Sequence, residues 1–406
     1  MTQVMTGVRV IEVAEHTFVP VASAVLADWG ADVIKIEHVE RGDAMRALGS
    51  TGVMNLGTDG VHVLLEHSNR GKRSIGLNLA TDEGQAVFDK LLETADVLLT
   101  NKVPAVLEKL KLTPERVRAV NPKVIFVRGT GYGPQGPDAN RGGYDILGYW
   151  ARSGVGSGGQ QANFDFPAMQ PGPAYGDSIG GMNIAGGIAA ALFHRERTGE
   201  AAVVDVSLLG SGMWAMGAAI ALSDQLGIAW QQPPKGSIRN PLTQPYETAD
   251  GKWLWLSCLQ GFAYWAEACQ LLGIPELATD ERFNSHQALA ANAGAAGDAV
   301  AAAFKSQPMD HWKQVLAAFS GQWAPFQNTL EIAEDPQALA NVYVQQLTAP
   351  NGAKYKLVAT PVQFDGPGEP SRIAPDFSEH GDAILTEDLG IDWDEVVELK
   401  LKGVVR

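Results

Sequence analysis

An α/β domain built on a doubly wound parallel sheet, followed by a smaller α+β domain, is implied by three features of this 406-residue chain. Short β-rich runs alternate with helical patterns across the first 130 residues, the spacing that parallel strands joined by right-handed crossovers require. A Gly/Pro-rich stretch from Gly129 to Gly180 then breaks the alternation, and so long a loop inside a domain is usually functional. A proline-bearing segment over residues 225–245 reads as a linker to a region of different pattern. At roughly 150 residues per domain, the length fits two or three domains. The expected boundaries are a large domain over 1–224, a linker over 225–245, a small domain over 246–335 and a terminal segment over 336–406.

Arg9–Val13 reads as a strand, and Pro20–Trp29 as a helix with proline in its first turn, stopped by Gly30. Val33–Ile36 is the next strand. Ile75–Leu79 leads into a helix opened by Thr81, Asp82 and Glu83, acids that suit the positive end of the helix dipole. Val97–Leu99 follows as a strand. A helix opened by Thr113-Pro114-Glu115 and closed by Asn121-Pro122 precedes the strand Val124–Val127. Beyond the Gly/Pro-rich stretch a helix runs from Asp177 through Ile184, Ile188 and Leu192 to Arg197, capped by Gly199. Val203–Val206 is a strand, and the uncharged run Val206–Ser223 reads as a buried helix. The second region carries a strand at Trp253–Leu256 and helices at Phe262–Leu272 and Ala288–Phe304. The tail has a β-like run from Tyr355, a Gly-Pro-Gly turn at 366–368 and a helix near Asp394–Leu401.

Lys and Arg number 31 against 46 Asp and Glu, a net charge of −15, which gives nucleic acid or an anionic membrane no long-range attraction. Two cysteines, Cys258 and Cys269, are too few for a disulfide framework and fit a reducing compartment. The uncharged run lies between Asp205 and Asp224 and falls short of the ~20 apolar residues of a membrane span. Residues 1–13 lack the basic start and apolar core of a secretory leader. A cytoplasmic protein is expected. The eight histidines form no HxxxH, HExxH or Cys/His cluster, so no metal site is indicated.

Glu37 ends the second strand, where a ribose-binding acid would stand in a dinucleotide site. The turn after the first strand, Ala14–Pro20, contains no glycine, so a pyrophosphate could not approach the backbone there, and Glu37 reads as an ordinary strand-end acid. Asn69–Ser74 is the densest basic cluster, either a solvated loop or a phosphate clamp. Asp177 also has two readings. It is either a helix N-cap, or a carboxylate kept ionised by the dipole beside glycine N–H groups, a nucleophile next to an oxyanion site. The tryptophans, including Trp253, Trp255 and Trp265, read as core or linker packing.

These hints coincide in a family resemblance. The matching stretches are Gly7–Glu12, Leu26–Glu37 with Gly42-Asp43, Asn69–Leu79, Ala95–Asn101, Thr130–Pro134, Tyr144-Asp145, Gly176–Ser178 and His194–Gly199. Asp280–Phe283 and the ending Glu379-His380, Leu389-Gly390 and Gly403–Val405 match more loosely. On these the chain resembles the class III CoA transferases, the group that includes carnitine, bile-acid and formyl-CoA transferases. The resemblance implies an interlocked homodimer, each chain having a Rossmann-like large domain and a small domain, with the last segment returning to the large domain. It places the nucleophilic aspartate at Asp177, which would form a mixed anhydride and then an aspartyl-CoA thioester. The implied substrates are an acyl-CoA and a carboxylic acid, with no tightly bound cofactor.

The resemblance also supplies CoA-contact positions: His16, Leu77, Asn101 and Lys109. His38 stands where a relative has a phosphate-binding Arg, and Gly142 where it has Lys. Arg41, Arg70, Arg73 and Arg141 are the candidates to replace those charges, and Tyr144 joins the group. The rival on the same fold is 2-methylacyl-CoA racemase, whose histidine position is Tyr144 here, a poor general base with an ordinary pKa of about 10. Glu247 resembles part of the racemase sequence but reads as a strand-end acid. A catalytically silent CoA-binding protein is the third reading, and it needs Asp177 to be only a cap. The small domain lacks the glycine run of formyl-CoA transferases, which argues against a formyl or oxalyl substrate.

Overall fold

The computed structural model describes residues 2–48, 56–161, 165–234 and 236–406; residues 162–164 of the Gly/Pro-rich stretch and residue 235 of the linker segment lie outside that description. The chain divides into two compact units, one of residues 1–159, 167–230 and 339–406, the other of residues 160–166 and 231–338.

The first unit is organised by six parallel strands: β1 (Arg9–Val13), β2 (Asp32–Glu37), β3 (Arg73–Gly76), β4 (Val97–Thr100), β5 (Ile125–Thr130) and β6 (Val203–Ser207), in the order β3-β2-β1-β4-β5-β6. Ile11 pairs with Ile34 on one side and Leu98 on the other. Alternation along each strand makes two apolar faces. Ile11, Ile34, Leu98 and Phe126 pack against Phe88, Leu91 and Leu92 and against the chain's last residues, including Leu399 and Val404. Val10, Val33, Leu99 and Val127 pack against the opposite helix layer.

Helix α1 (Phe18–Asp28) is buried on every side, from Phe18 to Ala27. Helix α2 is Val63–Asn69 and α3 is Asp82–Glu93. Thr81 caps α3, its Oγ1 accepting from Gly84 N–H at 3.0 Å. The long helix α4 (Tyr175–Thr198) ends at Gly199, whose φ of +78° suits glycine. It lies close against α1 because Gly180 and Gly181 face that helix. An added Cβ would come within 2.5 Å of Phe18 and 2.3 Å of Val21.

The uncharged run departs from expectation. It forms two helices, α5 (Leu208–Ala215) and α6 (Gly217–Leu226), and α6 has no buried residue. Leu208, Ser211 and Gly212 face the core while Trp214 stands 83% exposed. Absence of charge signalled an apolar run, but beyond Leu208 it is the small residues Ser211 and Gly212 that point inward.

The second unit holds antiparallel β7 (Pro245–Glu247), β8 (Trp253–Leu256) and β9 (Trp323–Pro325). Its core gathers Leu254, Leu256, Trp265, Phe283, Phe304 and Trp312, with both cysteines buried and free. Trp265 is core as expected, whereas the two-residue strand period turns Trp253 and Trp255 outward. Glu247 ends β7 and pairs with Lys305 at 2.9 Å. The expected Ala-rich helix breaks at Asn292 into His286–Ala291 and Ala293–Phe304. The β-like run at Tyr355 is β11 (Lys354–Val358) of a hairpin with β10 (Val344–Thr348), in the first unit. Among the described residues no helix is long and apolar enough to cross a membrane.

Candidate active site

Strand order reverses direction between β1 and β4, and the crevice at their carboxyl ends is where open α/β sheets bind ligands. Glu15 and His16 leave β1 there, and Asn101 and Lys102 leave β4. Asn101 staples the two exits: its Nδ2 donates to Glu15 O at 2.7 Å, and its Oδ1 accepts from Glu15 N–H at 3.3 Å. Glu15 pairs with Lys102 and, at 3.1 Å, with Arg41. Burial raises its carboxyl, but the two cations outweigh burial and hold it below its usual range. His16 adopts a left-handed φ of +68°, its N–H donating to Asp43 Oδ1 at 3.0 Å, and its ring meets Tyr144 edge-on at 5.5 Å. Thus His16, Arg41, Asn101 and Tyr144 converge, around a Glu15 that the sequence reading did not single out.

Beneath this crevice lies a buried charge cluster. Glu12 and Lys35 are register partners on β1 and β2, 2.7 Å apart, and Lys35 also reaches Asp43 at 2.8 Å. Lys72 meets the other Glu12 oxygen at 2.6 Å and donates to Pro20 O and Asn69 Oδ1. Burial works against every charge here. The lysines nonetheless hold Glu12 and Asp43 below their usual ranges, and Asp43 and Glu12 hold Lys35 above its own. Lys72 behaves differently: burial, with Lys35 beside it, outweighs Glu12 and draws it down to about 7. Glu37 is equally committed, accepting two bonds from Arg46 at 2.7 Å and one from Ser74 Oγ at 2.6 Å.

The basic cluster Asn69–Ser74 is therefore neither a solvated loop nor a row of charges offered to a phosphate. Arg70 is 2% exposed and pairs with Asp28 at 2.8 Å, and Lys72 is internal. Arg73 bridges Asp32 and Asp388, at 2.7 and 2.6 Å. Three cations in four residues read as surface from composition, but each meets a carboxylate distant in sequence. Leu77 is buried and bridges to Val405. His38, Lys109 and Arg141 are exposed, and no contact links them. Arg141 lies over the Tyr132 ring at 5.9 Å.

Asp177 is the third residue of α4, not the residue before it. The cap position is Ala174, with φ +57° and no side-chain hydrogen bond to give. Asp145 does the capping from elsewhere in the chain: its Oδ2 accepts from Gly176 N–H at 3.2 Å and from Gln170 Nε2 at 2.7 Å. Its Oδ1 accepts from Ile146 N–H at 2.8 Å. Gly176 is required there, since a Cβ would fall 2.5 Å from the Tyr149 side chain. Asp177 itself accepts no hydrogen bond among the described residues. Burial, then the charge of Asp145, push its carboxyl up to about 8, so the expected ionisation by the helix dipole is overridden. Beside it, Ser178 Oγ lies 3.0 Å from His67 Nε2.

Asp145, Glu15 and His67 escaped the sequence reading as site residues. Only Tyr144-Asp145, quoted within the resemblance, carried a signal for one of them. A groove of about 430 Å³ lined by Asp96, Asn121, Lys123 and Arg195 sits at the amino ends of β4 and β5, the opposite edge of the sheet from these residues. Among the described residues no three His, Cys, Asp or Glu side chains cluster as a metal site would require.

The model of CoA-transferase family III matches residues 5–381. The chain is 29% identical to (R)-2-hydroxy-4-methylpentanoate CoA-transferase of Clostridioides difficile, covering 99% of each chain. It is 30% identical to cinnamoyl-CoA:phenyllactate CoA-transferase of Clostridium sporogenes, over 98% of this chain and 96% of that one. It is 31% identical to succinate–glutarate CoA-transferase of Agrobacterium fabrum, over 94% and 95%. A CAIB/BAIF family protein from Brucella suis, solved by crystallography, superimposes with a TM-score of 0.79 at 28% identity, covering 96% of this chain and all of that one. A match that spans nearly the whole chain leaves one assignment: this protein is an enzyme of CoA-transferase family III, whose substrates are CoA thioesters.

Proposed function

We propose that the enzyme moves CoA from an acyl-CoA thioester to a carboxylic acid, with Asp177 as the nucleophile. An Asp177 oxygen adds to the thioester carbonyl and expels the CoA thiolate, giving a mixed anhydride. The thiolate then attacks the Asp177 carbonyl, releasing the first carboxylate and leaving an aspartyl-CoA thioester. An incoming carboxylate reverses the two steps and departs as the new acyl-CoA. The observation that carries this reading is the uncommitted Asp177 carboxyl at the head of α4, whose capping duty falls to Asp145. A raised pKa makes the ionised carboxylate a stronger nucleophile, at the cost of a smaller ionised fraction at neutral pH. Binding along the CoA arm positions the carbonyl. His16, Arg41, Asn101 and Tyr144 at the switch point, with Arg141, Lys109 and His38, are the side chains proposed to receive it.

The reading includes a homodimer, supported by the apolar side chains that α5 and α6 turn to solvent, Trp214 and Leu226 among them. Sedimentation of the full chain at twice the monomer mass is expected. The proposed chemistry is tested by incubation with acetyl-, succinyl- and cinnamoyl-CoA and hydroxylamine, then peptide mass mapping. A hydroxamate at Asp177 that depends on acyl-CoA is expected. Its absence, with uptake of deuterium at the acyl α-carbon, would replace the transferase by the racemase.

A further inference from the structure

The first turn of α4 carries a second polar side chain that the proposed chemistry leaves unused. Ser178 follows Asp177, and its N–H donates to Ala174 O at 2.9 Å. A helical serine often turns its hydroxyl back onto that same carbonyl, four residues earlier. Ser178 instead places Oγ 3.0 Å from Nε2 of His67, on α2. His67 is anchored through its backbone: its carbonyl accepts from Arg70 Nη1, and Arg70 is paired with Asp28 at 2.8 Å. Burial, then the Arg70 charge, draw the His67 imidazole down to about 4. The ring is neutral at working pH, and one of its nitrogens carries a proton.

Addition of Asp177 to a thioester carbonyl places negative charge on the former carbonyl oxygen, and donors aimed at that oxygen lower the barrier. A cation in this position would also stabilise the Asp177 carboxylate and weaken it as a nucleophile. A neutral hydroxyl oriented by a neutral imidazole donates without that penalty. Resting on the transferase reading, we infer that His67 is a positioning residue. Its Nε2–H donates to Ser178 Oγ, leaving the Ser178 hydroxyl free to donate to the oxyanion formed on Asp177 attack. Ser178 keeps its proton throughout, and no bond to it forms or breaks.

The test is the rate of acyl-CoA-dependent hydroxamate formation at Asp177, with acetyl-, succinyl- and cinnamoyl-CoA, in wild type, Ser178→Ala, His67→Phe, His67→Gln and the Ser178→Ala/His67→Phe double variant. Ser178→Ala and His67→Phe should each lower kcat about 100-fold, with KM for acyl-CoA little changed. The double variant should lose no more than either alone, and His67→Gln, whose amide nitrogen can reach the same oxygen, should recover most of the rate. A wild-type rate in Ser178→Ala, or losses that multiply in the double variant, would overturn the inference and leave the transferase reading intact. No hydroxamate in the wild type would overturn both. Should His67→Phe fail to fold, Ser178→Ala and His67→Gln still decide the matter.

Discussion

Two groups of inward-facing carboxylates in the first unit are treated in opposite ways. At the end of β1, Glu12 and Asp43 are each met by a lysine, and Glu37 by Arg46. At the head of α4, Asp177 meets no cation and no donor among the described residues, and the charge that acts on it is another carboxylate, Asp145. The first arrangement fixes backbone: through Asp43 it holds the left-handed His16 at the crevice. The second leaves a carboxyl uncommitted. A buried carboxylate met by cations at this spacing is structural, and the one left unmatched at a helix start is the one the proposed chemistry uses.

The sharpest way to break this comparison is to remove one carboxylate from each side. Asp177→Asn should abolish transfer by on the order of 10⁴-fold while leaving thermal stability unchanged or raised. Asp177→Ala should melt no lower either, whereas replacing a capping aspartate by alanine costs about 1 kcal/mol. Lys35→Met leaves Glu12 and Asp43 with too few partners and should cost about 3–5 kcal/mol in denaturant unfolding. A smaller loss would mean that water enters the cluster.

The pH dependence separates the two regions further. Asp177 is protonated in the folded chain up to about 8, whereas an unfolded aspartate loses its proton near 3.8. Between those values the folded state binds the extra proton, so this group's contribution to stability falls as pH rises from about 4 to about 8. Wild type should therefore lose stability relative to Asp177→Asn across that window. Glu12 and Asp43 have the opposite sign: their contribution is present above the ordinary carboxylate range and is lost on acidification. Thermal melts of both proteins from pH 4 to pH 9 check the two slopes.

Smaller effects sharpen the picture of the framework. Gly181→Ala pushes a methyl to within 2.3 Å of Val21 Cγ1 and should cost about 1–3 kcal/mol by wedging α4 from α1. Arg41→Ala removes the exposed partner of a largely covered Glu15, which keeps Lys102, and should cost about 1 kcal/mol or less. A rise in KM for acyl-CoA without that loss would assign Arg41 to CoA binding.

The legible parts of the sequence were those written locally. Strand–helix alternation placed β1, β2, β4 and β5, Thr81 and Thr113 both cap the helices they were expected to open, and Gly199 closes α4. The Asp177 environment was illegible because its cause is non-local: the residue that caps Gly176 is Asp145, 31 positions earlier. Neither a solvated loop nor a phosphate clamp foretells a buried Lys72, because its partner Glu12 lies 60 residues away. A signal did exist for Lys35, a lysine inside the apolar strand run Val33–Ile36, where burial obliges a partner. The outward face of Trp214 had none, since hydrophobicity does not say whether a second copy of the chain supplies the cover.

Asp145 caps α4 and thereby leaves Asp177 free, half-buried and hard to ionise. The most direct measurement is a ¹³C NMR titration of aspartate-labelled protein, with Asp177→Asn to assign the resonance and Asp145→Asn to perturb it. The account predicts an Asp177 transition near 8 that moves to lower pH when the Asp145 charge is removed. A transition near the ordinary 4, unmoved in Asp145→Asn, would contradict it.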